Sequence, residues 1–281
     1  MPTTFSDDSC RYQTEKFAMA KENLDRCLAV TLRHEGGWSD HKKDPGGATM
    51  MGITLGTLRR YKPGATKSDL RSITMARVQE IYRDGFWSPI AGDALPFGLD
   101  LATFDFAVNS GPSRGVKALQ AAIGAAVDGK AGADTILKAS KADGKKAIQA
   151  ICARRLSFMK SLKIWSTFKN GWSRRVAEIE AKAVSMWLTK GTGAIGGKER
   201  AILKDEADKA AGKAKAQERG TGGAIGSGAG AGGADVAASG DLNWLLIGGI
   251  AAAVAIAVVL LVIHSKKNRE RARAYSAAAA G

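Results

Sequence analysis

The aromatic residues of this chain run from Phe5 to Trp187 and then stop until Trp244. Leucine, isoleucine and phenylalanine follow much the same course. Because a packed core is built mainly from large apolar side chains, we expect the core to lie before about residue 190. The chain after that point needs a different kind of organisation.

Most of the core-forming part has the apolar spacing of helices. Strand signals are few: a loop rich in Gly, Asp and Thr follows Trp38, with a short hairpin around Met50–Leu55. Residues 1–20 are predicted to be an irregular lead-in, and the fold class to be mainly α with a small β element. The predicted helices are residues 22–34, 74–84 with Thr74 as the cap, 98–110, 113–124, 145–163 and 171–189.

Residues 191–240 form a different segment, with 14 glycines and no aromatic residue. Within it, residues 198–219 are rich in Ala, Lys, Glu and Asp and predict an isolated, exposed helix. Residues 220–240 have the composition of a flexible linker.

The run Trp244–Ile263 carries no charge and has the length needed to cross a bilayer core of about 30 Å. Five basic residues follow it against a single Glu270, so the positive-inside rule predicts a cytoplasmic C-terminus and an N-terminal domain on the periplasmic side of the inner membrane. No cleavable signal is recognisable before Phe17, which leaves the route of that domain open. Small residues such as Gly248 and Gly249 would permit oligomerisation.

The net charge is +15, and residues 1–190 hold most of it, with 30 Lys+Arg against 19 Asp+Glu. A basic domain suits a polyanionic partner such as nucleic acid or an anionic cell wall. No nucleic-acid-binding motif is present, so we expect no nucleic-acid partner. The three cysteines match no disulfide framework or metal site, and Cys27 and Cys152 are predicted to be buried apolar residues.

The candidate chemistry begins at Glu35, at the end of the first predicted helix. Gly36 and Gly37 leave room for a large ligand, and Trp38 offers an aromatic face that can pack on a sugar. Asp44, nine residues on, opens a rigid Asp-Pro-Gly-Gly turn that could hold a second carboxylate. Glycoside hydrolysis uses one carboxylic acid to protonate the leaving oxygen and often a second carboxylate. Asp44 could equally serve only to form the turn.

A string of motifs runs in order along about residues 24–189. These motifs are His34 to Trp38, Asp44 to Thr49, Gly52 to Thr54, Ile81-Tyr82, Phe86 to Pro89, Leu95-Pro96, Phe104 to Pro112, Leu119-Gln120, Val127 to Gly129, Arg155 and Phe168 to Arg175. Together they resemble glycoside hydrolase family 108, the bacterial and phage N-acetylmuramidases with a catalytic Glu in an E-G-G-Y/W motif.

This resemblance implies a lysozyme-like helical catalytic region at residues 21–110 and a helical peptidoglycan-binding region at 111–190, packed together as one unit. The linker at 191–240, a transmembrane helix at 241–264 and a basic tail at 265–281 would follow.

The same resemblance implies that Glu35 is the general acid. Asp44 and Thr49 would be further catalytic residues, although Thr49 stands one residue closer to Asp44 than its counterpart in phage lysozymes. Trp38 and Asn109 would bind substrate, and neither a metal nor a cofactor is expected. His34 and His41 lie near Asp44, but no H-E-x-x-H motif accompanies them.

The function predicted is hydrolysis of the β-1,4 bond between N-acetylmuramic acid and N-acetylglucosamine by a membrane-tethered enzyme of cell lysis or wall remodelling. Three alternatives stay open. The first is a lytic transglycosylase, which needs a Glu but no second carboxylate. The second is a non-catalytic, peptidoglycan-binding membrane anchor. The third is a lysis or secretion accessory whose membrane helix, with its oligomer or partner, is the main function.

Overall fold

The computed structural model describes residues 23–40, 47–230 and 244–281, and the side chains of all of these except 220–230, 244–258 and 260. The predicted lead-in at 1–20, Asp44 and the end of the predicted linker therefore lie outside the described residues. The chain divides into two compact units, one of residues 1–165 and 186–193 and one of residues 166–185 and 194–281.

The described part is mainly α-helical with one two-stranded hairpin, as the sequence predicts. In the first unit, α1 (residues 23–32) precedes an antiparallel hairpin, and one π turn and two 3-10 turns connect α4 to α5. The elements in order are β1 (Thr49–Met50), β2 (Ile53–Thr54), α2 (Leu55–Tyr61), α3 (Lys67–Arg71), α4 (Met75–Tyr82), the turns Arg83–Trp87, Ser88–Ile90 and Gly92–Ala94, then α5 (Leu99–Ser110), α6 (Pro112–Ile123), α7 (Ala133–Lys141) and α8 (Gly144–Lys160).

Threonine caps begin the three short helices that follow the hairpin. Thr54 accepts a hydrogen bond from the Thr57 amide at 3.0 Å, and Thr74 starts α4 in the same way. Thr66 and Asp69 form a reciprocal capping box on α3. Hydrogen bonds from Lys62 and Thr66 hold the pKa of Asp69 below its usual range. These local bonds define α2 and α3, which are too short to be recognised from an apolar stripe, whereas α4 agrees with the helix predicted at 74–84.

Helix α5 forms the centre of the first unit, since every residue from Leu99 to Ala107 is buried. It packs against α6 at Gly115, where a β-carbon would lie only 2.9 Å from the Thr103 carbonyl oxygen. Helix α8 is joined to it by an ion pair between Arg155 and Asp105, both of them almost fully buried. Burying two charges is costly unless they pair, so this contact fixes how α8 meets α5.

The second unit contains most of α9 (Trp165–Leu188) with α10 (Gly197–Gly230) and α11 (Trp244–Ala280). Helix α10 covers the helix predicted at 198–219 and continues into the glycine-rich segment predicted to be a flexible linker. The prediction that this helix is isolated and exposed is wrong, because one of its faces is packed against α11. Its buried residues recur every three or four positions, which is the pattern of a helix with one packed face. They are Leu203, Glu206, Ala207, Ala210 and Ala214.

None of the helices, within the residues that the structure describes, has both the length and the apolar character needed to cross a membrane. Most of the predicted span Trp244–Ile263 belongs to residues 244–258, whose side chains lie outside the described part.

Candidate active site

Glu35 lies in the irregular segment that follows α1, where its side chain is half-buried. The buried face of α1, formed by Leu24, Cys27 and Leu28, holds that helix against the unit. Beyond Glu35 the backbone is open: at Gly36 and at Gly37, no described atom lies within 4 Å of where a β-carbon would stand. A bulky ligand can therefore approach the chain beside the carboxyl group.

The tip of the β1–β2 hairpin lies against this carboxyl group. Met51 and Gly52, the two residues between the strands, have φ angles of 49° and 73°, as in a type I′ turn. A β-carbon on Gly52 would lie 3.0 Å from Glu35 Oε2 and 2.8 Å from the Tyr82 hydroxyl oxygen. The turn therefore needs glycine both for its backbone conformation and for its distance from Glu35.

The side chain of Tyr82 holds the turn in place. Its hydroxyl donates a hydrogen bond of 2.8 Å to the Met51 carbonyl oxygen. Its ring is buried at the end of α4, with its centroid 5.5 Å from that of Phe86 and 6.2 Å from that of Phe104. Ile81-Tyr82 is part of the motif string in the sequence, but the sequence predicts no role for Tyr82. The structure adds it to the site.

Thr49 is connected to the segment that carries Glu35 through the backbone. The Ser39 amide donates to the Thr49 carbonyl at 2.9 Å, and the Thr49 amide donates to the Ser39 carbonyl at 2.8 Å. Within the hairpin, Thr49 pairs with Thr54. The chain four residues after Glu35 is thus joined to β1. The structure brings Thr49 into the same small element as Glu35, and its catalytic role stays a prediction.

Helix α3 holds the loop around Trp38 in place. The Arg71 guanidinium lies 5.4 Å from the centroid of the Trp38 ring, in a cation–π contact. Lys67, one turn earlier on the same helix, pairs with Asp40 at 3.0 Å. These contacts orient the indole and leave it half-buried, as a ring that packs against a sugar would be.

The two remaining predicted site residues are not brought to Glu35 by any contact described above. Asp44 lies outside the described residues. Asn109 lies on the exposed last turn of α5, where it accepts a hydrogen bond of 3.0 Å from the Ser110 hydroxyl. Their catalytic and substrate-binding roles stay predictions.

The chemistry this arrangement supports is proton transfer by a carboxylic acid. Glu35 is half-buried, next to a rigid turn and an open stretch of backbone, so a substrate oxygen can reach it. Among the residues described, no group of three or more His, Cys, Asp or Glu side chains is placed to hold a metal ion.

The chain is similar to a known protein family and to a solved structure. The sequence model of the family described as Glycosyl hydrolase 108 matches residues 28–111, which include Glu35, the hairpin and Tyr82. A solved structure, "Structure of Brucella abortus SagA", is 39% identical, with a TM-score of 0.53. That match covers 61% of this chain and 97% of SagA. A search of curated proteins found no match.

Proposed function

We propose, on the premise that this chain belongs to glycosyl hydrolase family 108, that it cleaves peptidoglycan between N-acetylmuramic acid and N-acetylglucosamine. The fold of its first unit would then be that of a lysozyme-like muramidase. The observation that carries the proposal is the position of Glu35, which is held half-buried against the Met51-Gly52 turn at an open stretch of backbone. A general acid for glycoside cleavage needs such a site.

In the proposed reaction, Glu35 donates its proton to the glycosidic oxygen as the bond to the sugar breaks. The transition state resembles an oxocarbenium ion. On the other side of the sugar, either a carboxylate or a water activated by a carboxylate must attack this positively charged centre. Proton transfer requires Glu35 to come within about 2.6–3.2 Å of that oxygen. The open positions at Gly36 and Gly37 allow this approach, and Trp38 would pack against the sugar.

Asp44 is our candidate for the second carboxylate. The other carboxylate of the loop that follows Trp38 is Asp40. It is already paired with Lys67, which makes it less suited to stabilise the positive charge that develops on the sugar. Inverting enzymes hold their two carboxyl groups about 6.5–9.5 Å apart and retaining enzymes about 5–5.5 Å. The anomeric form of the first product, measured by NMR, would assign the mechanism, and Asp44→Asn would test the residue.

The decisive experiment replaces Glu35 by Gln and measures release of soluble fragments from purified peptidoglycan. We expect the variant to fold normally and to lose at least about 100-fold in rate, since general acid catalysis contributes about 10²- to 10⁴-fold. The matched control is Glu80→Gln, which makes the same change at an exposed residue of α4 paired only with Arg77 in the contacts described. Full activity in Glu35→Gln would overturn the proposal.

The products separate this proposal from its alternatives. Mass spectrometry of the fragments should find reducing N-acetylmuramic acid ends. Fragments with 1,6-anhydro ends would instead identify a lytic transglycosylase. If the protein pelleted with the wall and released nothing, it would be a non-catalytic binding module.

We further propose that Trp244–Ile263 attaches the protein to the inner membrane and that the catalytic unit acts on nearby wall, in lysis or in wall remodelling. The support is the length and the uncharged character of this run. Ala253→Arg places a charge within it, which costs about 2.5–3.5 kcal/mol at the centre of a membrane helix. We expect this variant to leave the membrane fraction and Ala277→Arg, outside the run, to stay. Retention of Ala253→Arg would contradict the attachment.

A further inference from the structure

Residues 265–268 of α11 contact residues 217 and 218 of α10. The Ser265 hydroxyl donates a hydrogen bond of 2.7 Å to Glu218 Oε1, although 47 positions separate the two residues. Beside it, the side-chain amide Nδ2 of Asn268 donates a hydrogen bond to Gln217 Oε1 at 3.0 Å. The predicted membrane run, Trp244–Ile263, lies within the segment that these contacts close into a loop.

The contact continues along both helices. At the other end, Arg200 Nε donates to the Ala279 carbonyl oxygen at 3.1 Å, so the residues after Ser265 run antiparallel to α10. Ser265, Tyr275 and Ala279 are buried on one helical stripe of α11, opposite the mostly alanine stripe of α10. The small side chains on these stripes, the alanines of α10 with Ser265 and Ala279, allow the two helices to approach closely. This part of α11 is therefore a packed helix.

Helix α9 completes the packing through a buried carboxylate. Glu180 accepts hydrogen bonds from Arg271 Nε at 3.0 Å, from Arg271 Nη2 at 2.5 Å and from the Tyr275 hydroxyl at 3.0 Å. If α11 moved away from α9, Glu180 would be left as a charge without these partners. Removing one partner from a buried pair is strongly destabilising. The last residues of α11 are thus held by contacts with both α9 and α10.

Three of the five basic residues that follow the apolar run are paired with carboxylates. Arg269 pairs with Glu218 at 2.7 Å, Arg271 with Glu180, and Arg273 with Glu270 at 3.4 Å. These three arginines have carboxylate partners within the second unit. The positive-inside rule concerns basic residues in loops that flank a membrane helix. These arginines belong to a helix that packs within the second unit and not to a loop, so the rule does not by itself place them in the cytoplasm.

We infer that the chain between Glu218 and Ser265 enters and leaves the bilayer by the same face, so that the catalytic unit and residues 265–280 share one side. This inference rests on the membrane attachment proposed above. A single crossing would place about 30 Å of hydrocarbon between Glu218 and Ser265, which the structure joins by a hydrogen bond. The arrangement differs from the single crossing predicted from the sequence.

Cysteine labelling in spheroplasts tests the topology. In a Cys10→Ser background, Ala280→Cys reports on the end of α11 and Lys146→Cys, at an exposed position of α8, reports on the catalytic unit. A membrane-impermeant maleimide should give both cysteines the same result, labelled or protected, before permeabilisation. Labelling of Lys146→Cys alone, with Ala280→Cys labelled only after permeabilisation, would show a single crossing and overturn the inference.

Cysteine cross-linking tests the closure directly in the membrane-bound protein. A short bismaleimide, which does not need the close geometry of a disulfide, should join Glu218→Cys to Ser265→Cys in the membrane fraction. The matched control, Glu218→Cys with Arg273→Cys, places the second cysteine about two helical turns further along α11 and should not cross-link. Absence of the cross-link in the first pair would also overturn the inference.

Co-sedimentation of the unmodified protein with membranes tests the proposed attachment separately from the topology. If the unmodified protein did not co-sediment with membranes, the attachment and the inference would both fail. The hydrolase proposal would then still be decided by Glu35→Gln alone.

Discussion

Gly52 lies so close to Glu35 that a β-carbon added to it would stand 3.0 Å from the carboxylate oxygen Oε2. The hairpin turn and the candidate acid therefore form one element, and the shape of the turn sets the surroundings of the acid. The residue that allows this is a glycine at a φ of 73°, a backbone conformation that costs other residues energy.

The first prediction concerns Gly52→Ala. The new methyl group would press on Glu35 and Tyr82, so we expect the hydrolysis rate to fall at least tenfold. Gly64→Ala is a matched control, because Gly64 has a φ of 77° and no described atom within 4 Å of its β-carbon position. Both variants should lose about 1–2 kcal/mol of stability from backbone strain. Equal activity in the two would show that the turn does not act on Glu35.

The second prediction concerns the Tyr82 hydroxyl. Tyr82→Phe keeps the buried ring but removes the hydrogen bond to the Met51 carbonyl. We expect a loss of about 1 kcal/mol in stability and a clear fall in kcat, because the turn beside Glu35 is less firmly held. Tyr61→Phe, which removes a hydroxyl that bonds Asp84, is the control. If Tyr82→Phe had the same kcat as the Tyr61→Phe control, the role of Tyr82 would be limited to packing of its ring.

The third prediction concerns stability against pH. Burial raises the pKa of Asp100 to about 7. The unfolded carboxyl loses its proton near pH 4, whereas the folded one keeps it until near pH 7. The folded state therefore binds more protons over this interval, and stability should fall as the pH rises through it. Unfolding by urea at pH 5 and pH 8 measures the change.

Asp100→Asn should remove this part of the pH dependence, a matter of a few kcal/mol at most. Its Oδ1 can still accept from the Gly98 amide at 2.7 Å and the Leu101 amide at 2.6 Å. Asp134→Asn, an exposed residue paired with Lys138, supplies the comparison. The prediction is refuted if Asp100→Asn and the unmodified protein lose the same stability between the two pH values.

The fourth prediction concerns the ion pair between Arg155 and Asp105. Arg155→Met leaves a buried carboxylate without its cation and should destabilise the protein by about 3–5 kcal/mol, measured by urea unfolding. Adding Asp105→Asn removes the unpaired charge and should recover part of that loss. A double variant less stable than Arg155→Met would contradict this account.

Much of the helical content could be predicted from the sequence. Apolar spacing predicted α5 at residues 98–110, and the structure has Leu99–Ser110. Thr74 was predicted to cap α4 and does so. Helices α2, α3 and α7 were not assigned, because they are short and the first two are defined by a cap more than by an apolar stripe. Helix α9 begins at Trp165, before Gly171, in residues that are largely exposed and give no periodic signal.

The sequence by itself determined the helical class, the hairpin near Met50 and the motif around Glu35. These features depend on residues within a few positions of one another, through helical spacing, capping and turn conformation. The tertiary structure alone decided that Tyr82 and Gly52 meet at Glu35, and that Ser265 returns to Glu218. Such contacts join residues that lie 17 or more positions apart. They depend on how the helices pack, which no local pattern records.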